Sequence, residues 1–206
     1  MLEQKKLEQY LSRCMASQAD FAEIFEEVEV SETISMLEGK VEDINKTILS
    51  GIGIRLYKGV ESVYAYSNEI KEDVLVSLID DLRNAIGILD EPKEVILTRV
   101  EYETNNPVKI DFEKTSLKDK SSLLERACFA AKNKDEKIVK VKADLLNVKQ
   151  NVQISNSEGR LISDERVRTR MMVVAYGKEG DNLQSGADRP GAGMGLEFYE
   201  TVTPEM

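Results

Sequence analysis

The stretch SGIGIRLYKGVESVYAY, residues 50–66, decides the fold of this chain. Ile52, Ile54 and Leu56 alternate with small or polar residues, which is the pattern of a strand with one buried face. Lys58-Gly59 predicts a turn, after which residues 60–66 return as a second strand. The glycines at positions 51 and 53 leave room for a bulge or for a close backbone approach. The stretch therefore predicts an antiparallel meander.

Towards the N-terminus, the apolar residues change from a helical period to an alternating one. A short helix presents one apolar face, formed by Leu7, Tyr10, Leu11, Cys14 and Met15. From Phe21 to Val30 the sequence alternates as in a half-buried strand, with apolar residues on one side and glutamates on the other. We expect this strand to continue to Leu37 and to turn at Glu38-Gly39-Lys40 into a strand over residues 41–49.

Towards the C-terminus, the meander is followed by an amphipathic helix over residues 74–89, which we expect to cover one face of the sheet. The polar segment from Asp90 to Glu113 follows, with turn residues at Pro92, Asn105, Asn106 and Pro107 and a short extended piece over residues 95–100. The segment predicts a linker. We accordingly predict two domains, residues 1–112 and 113–206.

The second half repeats the same mixture of elements. Ser116 is placed to cap a helix whose predicted buried positions are Leu117, Leu123, Leu124, Ala127, Cys128 and Ala131. Strands are predicted over residues 137–146, 148–155, 161–176 and 182–186, with turns at 156–159 and 177–180. The predicted fold class is α+β, in which helices pack on mostly antiparallel sheets in two sub-domains.

Composition excludes several classes of function. The 206 residues are 41% hydrophobic and carry a formal net charge of −10, which disfavours binding to nucleic acids or to anionic membranes. The sequence has no stretch typical of a secretory signal or a membrane span, so we expect a cytoplasmic protein. It also has no histidine, which excludes Ser-His-Asp and Cys-His catalytic sites. Cys14 and Cys128 are predicted to be buried free thiols.

The candidate site is a row of arginines on the predicted strand 161–176. Arg166, Arg168 and Arg170 share one parity and therefore project from one face. Such a row could bind a carboxylate, for example a peptide terminus, through charge-assisted hydrogen bonds. The alternative is that the arginines form cross-strand ion pairs with Asp or Glu on a neighbouring strand.

A run of glycines follows at Gly191, Gly193 and Gly195. No apolar strand leads directly into this run and no amphipathic helix follows it, which argues against a nucleotide-binding loop. We interpret it as a flexible or tightly turning connection that could also serve as an interface loop.

Several short blocks together resemble the N-terminal and central regions of the TldD/PmbA family, whose members were once named modulators of DNA gyrase. In the first half the blocks are residues 19–24, 37–42 and 51–55. In the second half they are Ser157-Glu158-Gly159, Arg168-Thr169-Arg170, Ala175-Tyr176-Gly177, Gln184-Ser185-Gly186 and residues 193–197. The Gly-Leu-Glu ending of the last block is closer to the TldD branch than to the PmbA/TldE branch.

The resemblance implies a zinc metallopeptidase that cleaves peptides or unfolded proteins in a cavity closed by two related TldD/TldE-type subunits. In the family, an H-E-x-x-x-H motif of a C-terminal domain supplies two zinc ligands and the catalytic glutamate. These 206 residues contain no such motif, so no metal ligand or catalytic residue is assigned to them. We expect an N-terminal fragment of the enzyme that is inactive alone and contributes cavity walls and a subunit interface. The alternative is a non-catalytic binding module on the same scaffold.

Overall fold

A computed structural model describes residues 1–89, 91, 93–101 and 107–205. Asp90, Pro92, Asn105 and Asn106 of the predicted linker lie outside these residues. The helices are α1 (Gln4–Cys14), α2 (Glu72–Ile86), α3 (Leu117–Lys132) and α4 (Phe198–Thr201). The strands are β1 (Phe21–Leu37), β2 (Lys40–Lys58), β3 (Glu61–Ser67), β4 (Thr98–Arg99), β5 (Ile138–Asn156), β6 (Arg160–Glu179), β7 (Asn182–Asp188) and β8 (Gly191–Ala192).

The strands hydrogen-bond in the order β3-β2-β1-β5-β6-β4, and β7 and β8 also pair with β6. The pairs β2–β3, β6–β7 and β6–β8 are antiparallel, and the short pair β4–β6 is parallel. This arrangement confirms the α+β class with mostly antiparallel pairing.

Four of the strands are much longer than the five or six residues that are typical of globular proteins. β1 has 17 residues, β2 and β5 have 19 each, and β6 has 20. The predicted breaks within β2 and β5 were wrong. Gly51 and Gly53 are not among the residues with positive φ, so the chain stays extended there. Asn147 does not end β5 because it is buried and accepts a hydrogen bond from Thr169.

The hairpin turns follow the glycine pattern of the sequence. The turn was predicted at Glu38-Gly39-Lys40; the structure has a two-residue turn at Glu38 and Gly39, with φ angles of 48° and 75°, and Lys40 already begins β2. Gly59 and Gly159 also have positive φ, as their turns require. The last turn lies later than predicted, because Gly177 is part of β6 and the left-handed residue is Gly180.

The chain divides into two compact units, each made of three segments. Unit 1 comprises residues 1–29, 49–103 and 150–165, and unit 2 comprises residues 30–48, 104–149 and 166–206. The units follow contacts in space and not chain order. The consecutive division into 1–112 and 113–206 therefore stays a prediction.

Unit 1 has a core in which α1 and α2 pack on the buried face of the strands. The predicted apolar face of α1 is confirmed, since Leu7, Tyr10, Leu11 and Cys14 are all buried. Alternate residues of β1 and β2, namely Ala22, Ile24, Ile52, Ile54 and Leu56, face this core. α2 begins at Glu72 and ends before Gly87, whose φ of 102° only glycine adopts readily, so it is shorter than the predicted 74–89.

Unit 2 has its own core, in which α3 and α4 meet β1, β5 and β6. Ser116 caps α3 as predicted, because its side chain accepts a hydrogen bond from the Asp119 N–H. Leu124, Ala127 and Cys128 are buried among Met36, Leu145, Val167 and Met171. Leu117 was wrongly predicted to be buried, since 45% of it is exposed at the first position of the helix.

The described helices include none that is both long enough and apolar enough to cross a membrane.

Candidate functional site

The predicted arginine row lies on β6 in unit 2, and the structure places its three members on one exposed face. Arg166, Arg168 and Arg170 are exposed, whereas Val167 and Thr169 between them are buried. The alternation arises because residues of odd number on β6 face the core of unit 2. The three side chains thus line one side of a single strand.

The surroundings of Arg168 and Arg170 differ from those of a structural ion-pair network. Among the described residues, the ion pairs within 4.0 Å include neither Arg168 nor Arg170, so the predicted cross-strand partners are not found for these two. On the same face of the neighbouring strand β5, Lys140 lies 5.9 Å from the ring centre of Tyr176, and Lys142 pairs with Asp144 at 3.2 Å. The face is therefore cationic along β6, although the chain as a whole is acidic.

The structure brings the glycine run next to the arginine row, which the sequence did not indicate. β8 pairs antiparallel with β6, so that Gly191 lies opposite Arg170 and Ala192 opposite Thr169. A Cβ atom on Gly191 would lie 2.8 Å from the Thr169 carbonyl oxygen. Gly191 is thus needed for close packing along β6, and the interpretation of the run as a flexible or tightly turning connection stays a prediction.

Glu197 fixes the other end of the glycine run. Its carboxylate accepts a hydrogen bond from the Ile110 N–H at 2.8 Å and another from the Gly195 N–H at 3.0 Å. Burial acts to raise the pKa of Glu197, but these backbone donors outweigh it and hold the pKa below its ordinary value. In the sequence, Glu197 stands out only as part of a family block, because nothing there indicates that its partner would be residue 110.

An apolar groove of about 320 Å³ lies on the other side of β6 in unit 2. Its walls are α3, the face of β6 that carries Met171 and Val173, and the segment 199–205. Arg126 of α3 forms a bidentate ion pair with Glu205 at 2.5 and 2.8 Å, which holds this segment in place. At the wall, the Tyr199 and Thr169 hydroxyl oxygens lie 3.2 Å apart, within hydrogen-bond distance, and burial raises the pKa of Tyr199 to about 12.

The described residues do not form a metal site. Within residues 1–89, 91, 93–101 and 107–205, no group of three or more His, Cys, Asp or Glu side chains could hold a metal ion. Cys14 and Cys128 are free and buried, as predicted, and burial raises the pKa of the Cys14 thiol to about 12. A thiol with so high a pKa is a poor nucleophile at neutral pH.

Comparison with protein families matches most of the chain to two models of one family. Residues 22–87 match the model described as PmbA/TldA metallopeptidase domain 1, and residues 110–204 match the PmbA/TldA metallopeptidase central domain.

Curated relatives cover nearly the whole chain. It is 30% identical over 204 residues to a metalloprotease of Methanocaldococcus jannaschii, with 96% of the chain and 43% of that protein covered. It is 24% identical over 193 residues to a Metalloprotease TldD homolog of Haemophilus influenzae, with 91% and 39% covered. The chain thus spans about two fifths of the length of these relatives.

Two solved structures share the fold. A putative modulator of a DNA gyrase from Thermotoga maritima gives a TM-score of 0.69 at 16% identity, covering 90% of this chain and 41% of that one. TldE from Thermococcus kodakarensis gives a TM-score of 0.60 at 17% identity, covering 91% and 42%. At these identities the likeness concerns the fold alone.

Proposed function

This chain belongs to the PmbA/TldD metallopeptidase family, and from that premise we propose that it supplies a peptide-binding surface to a peptidase of this type. Peptides or unfolded proteins are the proposed substrates. The arginine row on β6 is the observation that carries the proposal, because it is a cationic surface on a chain with a net charge of −10. A peptide carboxylate is an anion that such a row would favour.

The arginines are proposed to bind and orient the substrate, not to perform chemistry. Charge-assisted hydrogen bonds from Arg168 and Arg170 would hold a carboxylate against β6. Their side chains are exposed at every second position of a regular strand, which places both groups on one side of an extended ligand. Arg166 stands in the same row and shares this proposed role.

The zinc that the resemblance implies does not fit this chain's own residues. The sequence has no histidine, and the described carboxylates and thiols form no suitable group. We propose that hydrolysis depends on a zinc centre outside these residues and that the chain alone does not cleave peptides. No step of the reaction is assigned to it.

A related TldD/TldE-type subunit is the proposed protein partner. Residues 40–48 of β2 are exposed throughout and include three large apolar side chains, Val41, Ile44 and Ile48. Exposed apolar residues of this kind are typical of surfaces that contact another protein. They support a subunit interface in unit 2.

The proposal predicts that the chain binds extended peptides through their carboxylates. Fluorescence anisotropy would compare a labelled unstructured peptide that ends in a free carboxylate with the same peptide carrying a C-terminal amide. We expect the double substitution Arg168→Glu/Arg170→Glu to weaken binding of the carboxylate form by about tenfold or more, because each charge-assisted hydrogen bond contributes about 1.5–3 kcal/mol.

Lys118→Glu is the matched control, since Lys118 is an exposed cation of α3 in the same unit. It makes a smaller change in net charge and leaves the arginine row intact. Equal binding of the two peptides, or equal effects of the arginine and lysine substitutions per charge, would contradict the proposal. Peptide cleavage by the purified chain that a chelator abolishes would contradict the placement of the zinc centre.

A further inference from the structure

A second surface, in unit 1, has the opposite character to the arginine row. A cleft of about 480 Å³ lies on the open face of β1, β2 and β3. Three aromatic side chains line it and are exposed, namely Phe25 (36%), Tyr64 (53%) and Tyr66 (76%). Of the described residues that line the cleft, Glu27 alone is charged. We call this surface the aromatic cleft.

The glycines of β2 form the floor of the aromatic cleft and allow Tyr64 to lie across it. A Cβ atom on Gly53 would lie 2.6 Å from the Tyr64 hydroxyl oxygen and 3.0 Å from its ring. Tyr64 and Tyr66 stack on the same face of β3, with ring centres 6.2 Å apart and an angle of 23° between the rings. Gly51 and Gly53, which lie in the stretch that decides the fold, therefore also make room for a flat aromatic surface.

Next to this surface, similar groups hold a guanidinium of the chain itself. Arg55, which pairs with Tyr64 across β2 and β3, places its guanidinium carbon 5.0 Å from the Tyr64 ring centre and 5.9 Å from that of Tyr57. The same guanidinium donates a hydrogen bond to the Tyr57 hydroxyl at 3.1 Å and lies 3.6 Å from Glu23. Two rings and one glutamate thus hold a guanidinium by cation–π and ionic attraction.

The aromatic cleft repeats this set of groups two residues further along β1. Phe25 and Glu27 follow Glu23 on the same face of the strand, and Tyr66 follows Tyr64 on β3. Gln150 donates a hydrogen bond to Glu27 Oε2 at 2.6 Å, which orients the carboxylate. No lysine or arginine of the described residues lines the cleft.

We propose that the aromatic cleft binds the guanidinium group of an arginine side chain of a peptide. The rings of Phe25, Tyr64 and Tyr66 offer faces for cation–π contact, and Glu27 supplies the counter-charge. A planar guanidinium fits between flat rings better than a compact ammonium does. The net charge of −10 favours a basic ligand. The inference does not rest on the proposed function, because the arginine row lies in unit 2.

Nuclear magnetic resonance of the ¹⁵N-labelled full chain tests the proposal. The probes are N-acetyl-arginine N-methylamide and its neutral isostere, N-acetyl-citrulline N-methylamide, neither of which has a carboxylate for the arginine row. We expect the arginine probe to bind with a Kd on the order of millimolar and to shift the amide signals of residues 25–27, 53 and 64–66. The citrulline probe should bind at least about fivefold more weakly.

Two substitutions locate the binding to the aromatic cleft. Tyr66→Leu should weaken binding of the arginine probe about threefold to tenfold, and Gly53→Val should weaken it similarly because the new side chain displaces the Tyr64 ring. Phe129→Leu is the matched control, since Phe129 is 74% exposed on α3. Signal dispersion of each variant shows whether it is folded.

Equal binding of the arginine and citrulline probes would overturn the proposal, since the cleft would then accept flat groups regardless of charge. So would an unchanged Kd in the Tyr66→Leu variant. Binding of spermidine without binding of the arginine probe would assign the cleft to free polyamines instead.

Discussion

Unit 1 and unit 2 both bury carboxylates, but they compensate the charge with different partners. In unit 1, Glu26 is 1% exposed and accepts hydrogen bonds from the Leu2 N–H and the Gln153 amide, both at 2.8 Å. In unit 2, Glu32 is held by the ammonium group of Lys120 at 2.6 and 2.8 Å. Removing one neutral donor from a buried carboxylate lowers the free energy of unfolding less than removing one partner of a buried ion pair does. The two units should therefore respond differently to substitution.

The largest effect is expected for Lys120→Met in unit 2. The side chains of Lys120 and Glu32 are 5% and 12% exposed, so the substitution leaves a charge buried without its partner. We expect the free energy of unfolding to fall by about 3–5 kcal/mol, measured by urea denaturation. The double substitution Lys120→Met/Glu32→Leu should restore much of this loss.

Glu26→Gln in unit 1 is the comparison for this prediction. The glutamine would place its amide group against an N–H donor, which we expect to lower the free energy of unfolding by about 1–2 kcal/mol. Equal losses of unfolding free energy for Lys120→Met and Glu26→Gln would show that the kind of partner of the carboxylate does not matter. The contrast between the two units would then be wrong.

Glycine substitutions should give a smaller effect and sharpen the same comparison. A Cβ atom on Gly195 in unit 2 would overlap the Ile110 carbonyl oxygen and lie 2.5 Å from the Glu197 carboxylate. Because backbone cannot move aside easily, Gly195→Ala should lower the free energy of unfolding by about 2–3 kcal/mol.

Gly53→Ala in unit 1 should cost less than about 1 kcal/mol, because the obstacle is the Tyr64 side chain, which can rotate away. Gly186→Ala is the control, as its Cβ atom would meet nothing within 4 Å. Thermal or urea denaturation ranks the three variants by their loss of unfolding free energy. If Gly53→Ala lowered the free energy of unfolding as much as Gly195→Ala does, the distinction between a backbone obstacle and a side-chain obstacle would be contradicted.

The smallest effect concerns acid stability. The pKa of Glu197 is lowered in the folded chain, so its ionised form stabilises the fold above the ordinary value of 4.5. This contribution is lost as the pH falls from 4.5 through the folded pKa. Glu197→Gln should therefore flatten the decline of unfolding free energy below pH 4.5, as urea denaturation at successive pH values would show.

Asp80 in unit 1 is the matched carboxylate. A hydrogen bond from Arg13 lowers its pKa, but 37% of the side chain is exposed and solvent screens the pair. Asp80→Asn should change the acid limb less than Glu197→Gln does. A larger change for Asp80→Asn would reverse the ranking of the two units.

The sequence predicted the elements because their signals are local. The alternation of Ile52, Ile54 and Leu56, the turn at Glu38-Gly39 and the Ser116 cap each depend on residues within one element, and the structure has all three. Strand ends were harder to predict. A glycine or a polar residue such as Asn147 ends a strand only if no neighbouring strand supplies a partner.

The surroundings of the candidate site could not be read from the sequence because they depend on pairing between distant segments. The arginine row was predictable from its parity on one strand. Its neighbours were not, since Gly191 meets Arg170 only through the register of β8 against β6. The link from Glu197 to Ile110 spans 87 residues. The aromatic cleft likewise requires the pairing of β2 with β3 and their position beside β1.

The three-segment composition of each unit limits how this polypeptide can be divided in the laboratory. β1, β2, β5 and β6 each begin in one unit and end in the other, as the residue ranges require. A gene truncated at any one codon would therefore encode at least one of the two units incompletely. Separate expression of either unit would require joining its three segments with engineered linkers. Single substitutions in the whole chain are therefore the more informative way to assign a role to each unit.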